Sequence, residues 1–387
     1  MEQKRLVRNI LRLYEGYSLS MLQVGTRRQT RSIVSIVVLS FLIHNICGCD
    51  SRAKSTPPDV KPQENKNRVD GGEKDVELTS IEPDDWFEDV TSQTGLRFQY
   101  RSGRESELRT ILETVGGGIA VLDFDGDQRA DLFCVGGGTL DPATGVPSGV
   151  PCGLFRNLGE TRFSDVSSVS EIDAAIDYSH GCVCGDINSD GFEDAFVTCF
   201  GLNSLFLNQG DGTFLRSNRK ADFGVPRWNT AAALADIDRD GELDVYVTGY
   251  VNWVPSGEKH PDVPGPQSYE PVSDEVFLNS GDGEFTCISR LAGIREDRMG
   301  LGVIATDLNN DNRIDFYIAN DVVANHLYPG GGGIQFRESA ELNGLAYNEA
   351  GNPEGSMGVD CEDENGDGRD DLWVTSCKKS EARAWTW

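Results

Sequence analysis

Five segments of this chain align without gaps on one aspartate register, and that register limits the fold more than any other feature. They are Asp123-Phe-Asp-Gly-Asp-Gln-Arg-Ala-Asp131, Asp186-Ile-Asn-Ser-Asp-Gly-Phe-Glu-Asp194, Asp236-Ile-Asp-Arg-Asp-Gly-Glu-Leu-Asp244, Asp307-Leu-Asn-Asn-Asp-Asn-Arg-Ile-Asp315 and Asp363-Glu-Asn-Gly-Asp-Gly-Arg-Asp-Asp371. Their first residues lie 63, 50, 71 and 56 positions apart, the length of one supersecondary unit with variable loops. The surroundings repeat too. A small apolar run precedes most loops (116–122, 231–235, 300–305), and a β-rich run follows each: Leu-Phe-Cys-Val, Ala-Phe-Val-Thr, Val-Tyr-Val-Thr, Phe-Tyr-Ile-Ala and Leu-Trp-Val-Thr. A third element, Leu-Phe-Arg-Asn from 154, Leu-Phe-Leu-Asn from 205 and Val-Phe-Leu-Asn from 276, leads to a strand that opens with Phe214 or Phe285. Each unit is thus expected to be a four-stranded meander with the acidic loop between its first two strands.

Such a sheet cannot cover both of its faces alone, so the units must stack side by side around an axis. The expected fold is all-β, a β-propeller of four-stranded blades, about five of them visible. The segment Trp86-Phe-Glu-Asp-Val-Thr matches the outermost strand of a unit, as in Arg162-Phe-Ser-Asp-Val-Ser. An outer strand placed first is how propellers zip first blade to last.

At positions 1, 3, 5 and 9 each loop offers aspartate, except for Asn188, Asn309 and Asn365. A tight turn can fold those side chains and the backbone carbonyl of position 7 around one hard cation. The expected ligands are Asp123, Asp125, Asp127, Arg129 and Asp131; Asp186, Asn188, Asp190, Phe192 and Asp194; Asp236, Asp238, Asp240, Glu242 and Asp244; Asp307, Asn309, Asp311, Arg313 and Asp315; and Asp363, Asn365, Asp367, Arg369 and Asp371. Oxygen-only ligation favours calcium, since magnesium wants a stricter octahedron and keeps its waters. Glycine supports the turn at position 6 in three loops, while Gln128 and Asn312 stand there in the first and fourth. Asparagine tolerates left-handed backbone and glutamine does so poorly, which makes the first loop the most doubtful site.

An EF-hand begins with the same register but needs a glutamate at position 12 and flanking helices. Position 12 here is Cys134, Val197, Val247, Ile318 or Val374, all in expected strands, so that reading fails. The plainer alternative, solvated acidic turns without metal, must explain five loops in one register. Carboxylates this crowded repel unless compensated, so calcium is expected to contribute to stability and not only to occupy a surface site.

The formal net charge is −28, from 63 acidic and 35 basic residues, which makes cations natural partners and excludes nucleic acid. Arg27, Arg28 and Arg31 precede an apolar run from Ile33 to Ile46 that ends in Ile46-Cys47-Gly48-Cys49, the layout of an export signal. The run is shorter than the roughly 20 residues that span a bilayer. Residues 1–49 therefore read as a leader; lipidation at Cys49, ordinary cleavage and an uncleaved short anchor all stay open, and Met21 is a second candidate start. Residues 50–83 are polar and read as a disordered linker, and residues 84–387 as the repeat domain. Membrane contact is expected only through the N-terminal anchor. Beyond Cys49 the cysteines at 134, 152, 182, 184, 199, 287, 361 and 377 fit no zinc spacing. Cys182 or Cys184 with Cys199, and Cys361 with Cys377, flank equivalent loops, and hairpin-bridging disulfides are expected there.

These residues are similar to the FG-GAP (VCBS) repeats of the integrin α-subunit propeller. The Gly-Gly-Gly-Ile-Ala-Val-Leu-Asp-Phe-Asp opening and the Leu-Phe-Leu-Asn-Gln-Gly-Asp-Gly-Thr-Phe linker look most like bacterial ASPIC/UnbV-type proteins. The resemblance covers about Trp86 to Thr375. It implies a calcium ion at each matching loop and seven blades in the full family. Only five loops are visible and the chain ends at Trp387 without the C-terminal ASPIC domain, which reads as truncation or frameshift and leaves blade number and ring closure open.

In integrin-like propellers, ligands meet the face opposite the calcium loops. The longest insertions expected there run from Trp253 to Ser273, with His260 and Tyr269, and from Gly136 to Gly153; ligand contact and packing ornament are both open readings. Catalytic patterns are hard to find: His44, His180, His260 and His326 are scattered, there is no Gly-x-Ser-x-Gly or His-Glu-x-x-His, and Gly330 to Gly333 precede a strand-like segment instead of a helix. The leading expectation is an exported or surface-tethered calcium-binding propeller in the cell envelope, the periplasm or on the extracellular surface. It would serve as an adhesion, scaffold or ligand-binding module for a protein or polysaccharide. A lyase-like, polysaccharide-acting enzyme on the same scaffold is the alternative.

Overall fold

The computed structural model of the chain describes residues 22–24, 89–217, 223, 225–281, 284–376 and 383–385. Each acidic register closes an antiparallel hairpin, as the alternation of apolar runs around it requires. The paired strands are Ile119–Leu122 with Asp131–Cys134, Tyr178–Gly185 with Asp194–Gly201, Arg227–Ala235 with Asp244–Gly249, Gly300–Thr306 with Asp315–Asn320, and Ser356–Glu362 with Asp371–Ser376. In the first three units a third strand (Gly153–Gly159, Ser204–Asn208, Glu275–Asn279) and a fourth (Arg162–Asp165, Phe214–Arg216, Phe285–Cys287) continue the meander. Among the described residues the fourth and fifth units carry three strands each, ending in His326–Tyr328 and Arg383–Trp385.

The first strands of successive units pack on one another in chain order, which makes the second, third and fourth meanders layers between neighbours. That explains why second strands such as Asp244–Gly249 are buried along their whole length instead of alternating. Aromatic residues bridge the layers: Phe133 meets Phe206 of the next unit at 5.8 Å, and Tyr246 meets Phe316 at 4.8 Å. Units two and three are also joined edge to edge, with Phe200 paired to Trp228 and Gly201 to Arg227. The Val-Thr pairs of the sequence mark a repeated β-bulge. Thr198, Thr248 and Thr375 accept the amides of Gly181, Ala231 and Gly358 at 2.9, 3.0 and 2.9 Å, where the register slips.

Smaller pieces complete the all-β chain. Arg101–Ser102, Gly137–Leu140 and Pro147–Gly149 form a separate sheet within the first unit. Thr91–Thr94 and Ser289–Ala292 are single helical turns. Of the expected leader, only Leu22–Val24 is described, as a strand parallel to Ile119–Val121. The linker at 50–83 and Trp86, with its expected ring-zipping strand, lie outside the described residues. One expectation is corrected: the register sets Cys182 opposite Val197 and Cys184 opposite Ala195, while Cys199 faces Ser179. No cysteine pair is juxtaposed across this hairpin, and all three are buried thiols. Cys377, expected to pair with Cys361, lies outside the described residues.

Candidate metal centres

All five acidic loops fold on the same set of hydrogen bonds. Oδ2 of the first aspartate accepts the amide of position 6, from Gln128 at 2.9 Å, Gly191 at 3.0 Å, Gly241 at 3.2 Å, Asn312 at 2.7 Å and Gly368 at 2.9 Å. The side chain at position 3 accepts the amide of position 5, and Oδ1 of position 5 accepts that of position 7. In the first and third loops the turn amides use one oxygen of each of these carboxylates and leave the other for a ligand, whereas Asn188, Asn309 and Asn365 spend their one side-chain oxygen on the turn and Asp307 and Asp363 accept amides on both oxygens. Positions 4 and 6 are left-handed in every loop, from φ 72° and 64° at Gly126 and Gln128 to 67° and 100° at Arg239 and Gly241. Gln128 thus adopts the turn that its side chain disfavours.

The ninth aspartate has a double role. Asp131, Asp194, Asp244, Asp315 and Asp371 are all buried. Each accepts the amide of position 2, from Phe124, Ile187, Ile237, Leu308 and Glu364 at 2.7 to 3.3 Å. The first four also accept an amide at or just past the end of the third strand, from Asn157, Asn208, Asn279 and Gly330. This residue therefore ties the loop to the sheet whether or not an ion is bound. Burial pushes the carboxyls of Asp131 and Asp194 up to about 7 and those of Asp244 and Asp315 up to about 6, against the pull of the amide donors.

Two loops bring their carboxylates closest together. Asp123, Asp125 and Asp131, and likewise Asp236, Asp238 and Asp244, each offer oxygens within 4.8 Å of one another. Oδ1 of Asp123 and Oδ1 of Asp236 are buried and have no hydrogen-bond partner. A desolvated carboxylate oxygen without a donor is costly unless a cation meets it, so these donor sets fit a hard divalent ion. The main-chain carbonyls of Arg129, Phe192, Glu242, Arg313 and Arg369 remain the expected fifth donors. Position 12 falls inside a strand in every unit, and among the described residues no helix flanks a loop, as an EF-hand would require.

Sequence reasoning missed how the loops are latched together. Asn208 of the second unit donates from Nδ2 to Phe124 O of the first loop at 2.8 Å, and Asn279 of the third unit donates to Ile187 O of the second loop at 2.6 Å. Glu193 accepts the Asp123 amide at 2.7 Å, and Arg239 donates to Asn312 O at 2.6 Å. The recurring asparagine of Leu-Phe-Leu-Asn was the visible signal, but its target lies in a different repeat.

The opposite strand ends carry the two long insertions. Trp253 is buried against Phe200 and Trp228 at 5.3 and 6.4 Å. Further along the same insertion, the His260 amide donates to Leu108 O at 3.0 Å, Lys259 pairs with Glu107 at 3.2 Å, and Arg109 donates to Pro261 O. The two insertions clasp each other where Gly257 packs on Ala143, so tightly that a methyl group at Gly257 would sit 1.9 Å from the Ala143 carbonyl oxygen. Packing thus claims Trp253. His180 is enclosed between Tyr178 and Trp228, and burial lowers its pKa to about 3. Burial and the nearby Arg298 do the same to His326. Neither imidazole reaches solvent. His44 lies outside the described residues.

Residues 123–197 and 186–247 match the family described as FG-GAP-like repeat. Cartilage acidic protein 1 of Xenopus tropicalis is 27% identical over 218 residues, which cover 56% of this chain and 30% of that protein. The Mus musculus protein of the same name is 24% identical over 213 residues, covering 54% and 29%. The chain thus spans less than a third of the length of these curated relatives. Similar solved structures include an Agrocybe aegerita lectin that recognises non-reducing terminal N-acetylglucosamine (17% identity, TM-score 0.40, 69% of this chain and 65% of that one). Another is a rhamnogalacturonan lyase of Bacillus licheniformis (15% identity, TM-score 0.32, 67% and 51%). Among the described residues, no helix is long and apolar enough to cross a membrane. The repeated loop geometry and the strand order agree with the family match: residues 123–247 carry FG-GAP-like repeats, and about half of the chain is similar in sequence to cartilage acidic protein 1.

Proposed function

We propose that this chain is an exported, calcium-loaded β-propeller module that binds a protein or polysaccharide and catalyses nothing itself. The observation that carries the calcium assignment is the five-fold identity of the loop hydrogen bonds, together with the buried, unpartnered oxygens of Asp123 and Asp236. A bound ion would supply charge compensation, and the loops hold ligating side chains at positions 1, 3, 5 and 9 in one orientation through their turn bonds. The stacking order of the units supports a closed ring. The apolar run at 33–46 and the charge of −28 support export to a compartment where calcium is plentiful.

The binding role is supported by rigidity: both faces of the units end in loops pinned by hydrogen bonds, and rigid scaffolds present ligand loops well. The two buried, neutral histidines serve packing, and the buried carboxylates outside the loops, such as Asp274 and Asp321, are held by tyrosine hydroxyls. Incubating the purified chain with a panel of acidic polysaccharides in calcium separates the readings. Calcium-dependent retention without turnover is expected; release of unsaturated products would replace the binding module with a lyase.

A further inference from the structure

The first loop differs from its siblings in one respect that comes from outside the loop. Its third strand reads Leu154-Phe155-Arg156-Asn157, where the second and third units read Leu205-Phe206-Leu207-Asn208 and Val276-Phe277-Leu278-Asn279. The backbone amide of the asparagine fixes this register in all three, donating to the ninth aspartate at 2.6, 2.8 and 2.9 Å. Arg156 therefore occupies the place of Leu207 and Leu278 beside the acidic turn.

Its guanidinium lies on the oxygens that the turn leaves over. Oδ1 of Asp125 and Oδ1 of Asp127 accept the amides of Asp127 and Arg129. The remaining Oδ2 atoms face Arg156: Nε is 2.6 Å from Asp125 Oδ2, and Nη2 is 3.5 Å from Asp127 Oδ2. The Nε–H does not point along the shorter line, so that contact is charge against charge more than a hydrogen bond. Arg129 adds a second guanidinium at 3.2 Å from Asp127 Oδ2. In the third loop, Leu278 stands where Arg156 stands in the first, and position 7 is Glu242, which turns away to Ser189.

We infer that Arg156 is a built-in counter-ion of the first loop that competes with the divalent cation for Asp125 and Asp127, making this site weaker and more readily exchanged than those of the second and third loops. The inference rests on the calcium reading above. The guanidinium must leave, or share, two carboxylate oxygens before a cation can take them, and the first loop stays charge-compensated when the ion departs. The second and third loops lack that reserve from the third strand, so of these three units the first is the one whose ion can come and go with calcium level while the fold persists.

Native mass spectrometry of the full chain across a chelator-buffered series of free calcium counts the ions bound at each step, with calcium alone as the probe. In the wild type, one ion is expected to add at distinctly higher calcium than the third-loop ion. Arg156→Leu, the residue its siblings carry, should move that step to roughly threefold or more lower calcium, and Arg156→Lys should leave it in place. Leu278→Arg should create a second late step. Arg156→Gln replaces the leucine variant if the latter fails to fold. An unchanged series in the uncharged variants while all ions still bind would overturn the counter-ion role alone. Absence of bound ions in the wild type and every variant would remove the calcium reading, and this inference with it.

Discussion

The loop-to-loop latch makes a quantitative comparison available within one molecule. Asn157, Asn208 and Asn279 occupy equivalent third-strand positions, and each accepts a glycine amide on Oδ1 at 2.9 to 3.1 Å. Each also donates from Nδ2 to a carbonyl of its own loop, at Ala130, Glu193 and Leu243. Only Asn208 and Asn279 reach the preceding loop as well, at Phe124 O and Ile187 O. Both of those acceptor residues are buried, so deleting the donor strands a carbonyl that water does not reach. Such a group costs about 1–3 kcal/mol. Asn208→Ala and Asn279→Ala should therefore each destabilise by about 1–3 kcal/mol more than Asn157→Ala, which loses only contacts within its unit. Asn279→Asp should be at least as harmful as the alanine variant, because it turns a carboxylate oxygen toward two carbonyls. Urea unfolding in calcium-replete buffer, followed by tryptophan fluorescence with m-values checked for constancy, measures the differences. Equal costs at all three positions would show that the latch contributes nothing, and that the asparagine is retained for its own turn.

Two further outcomes follow from the same geometry. In the metal-free protein Asp131 and Asp194 titrate at about 7 and Asp244 and Asp315 at about 6, all raised above the ordinary value. Below these values a proton must leave before a cation can bind, so calcium affinity should fall as pH drops. Between pH 8 and about pH 5.5 the loss is roughly thirtyfold at the first pair of sites and roughly fourfold at the second; a calorimetric titration that is flat over that range would contradict it. On the opposite face, Gly257→Ala should spring the clasp between the two insertions, since its methyl group would sit 1.9 Å from Ala143 O. Limited proteolysis should then cut between Trp253 and Ser273 faster than in the wild type, and an unchanged cleavage pattern would show that the clasp does not hold the insertion.

What was legible in the sequence was whatever repeats locally. The aspartate register located five hairpins because the loop folds on bonds among its own nine residues, and the apolar runs located the strands because the inner meanders are buried on both faces. Less legible were the features set by neighbours. The left-handed residues at position 4 of the second, third and fourth loops, Ser189, Arg239 and Asn310, carry no glycine to announce them. The asparagine latch and the clasp of the two insertions join residues in different repeats. The expected pairing of Cys182 or Cys184 with Cys199 failed for a related reason: proximity in sequence across a hairpin does not set register, and a bulge at Thr198 and Cys199 shifts it. Arg156 was visible as a departure from Leu207 and Leu278, but only the folded strand shows that it reaches Asp125.

The account as a whole stands on divalent ions holding the acidic loops. Differential scanning calorimetry of the same preparation in millimolar calcium and in excess chelator tests it most directly. Each site held at about a hundredfold over its Kd should contribute about 2.7 kcal/mol, so the melting midpoint should fall markedly when calcium is removed. A midpoint that does not move would mean that these turns stand without an ion.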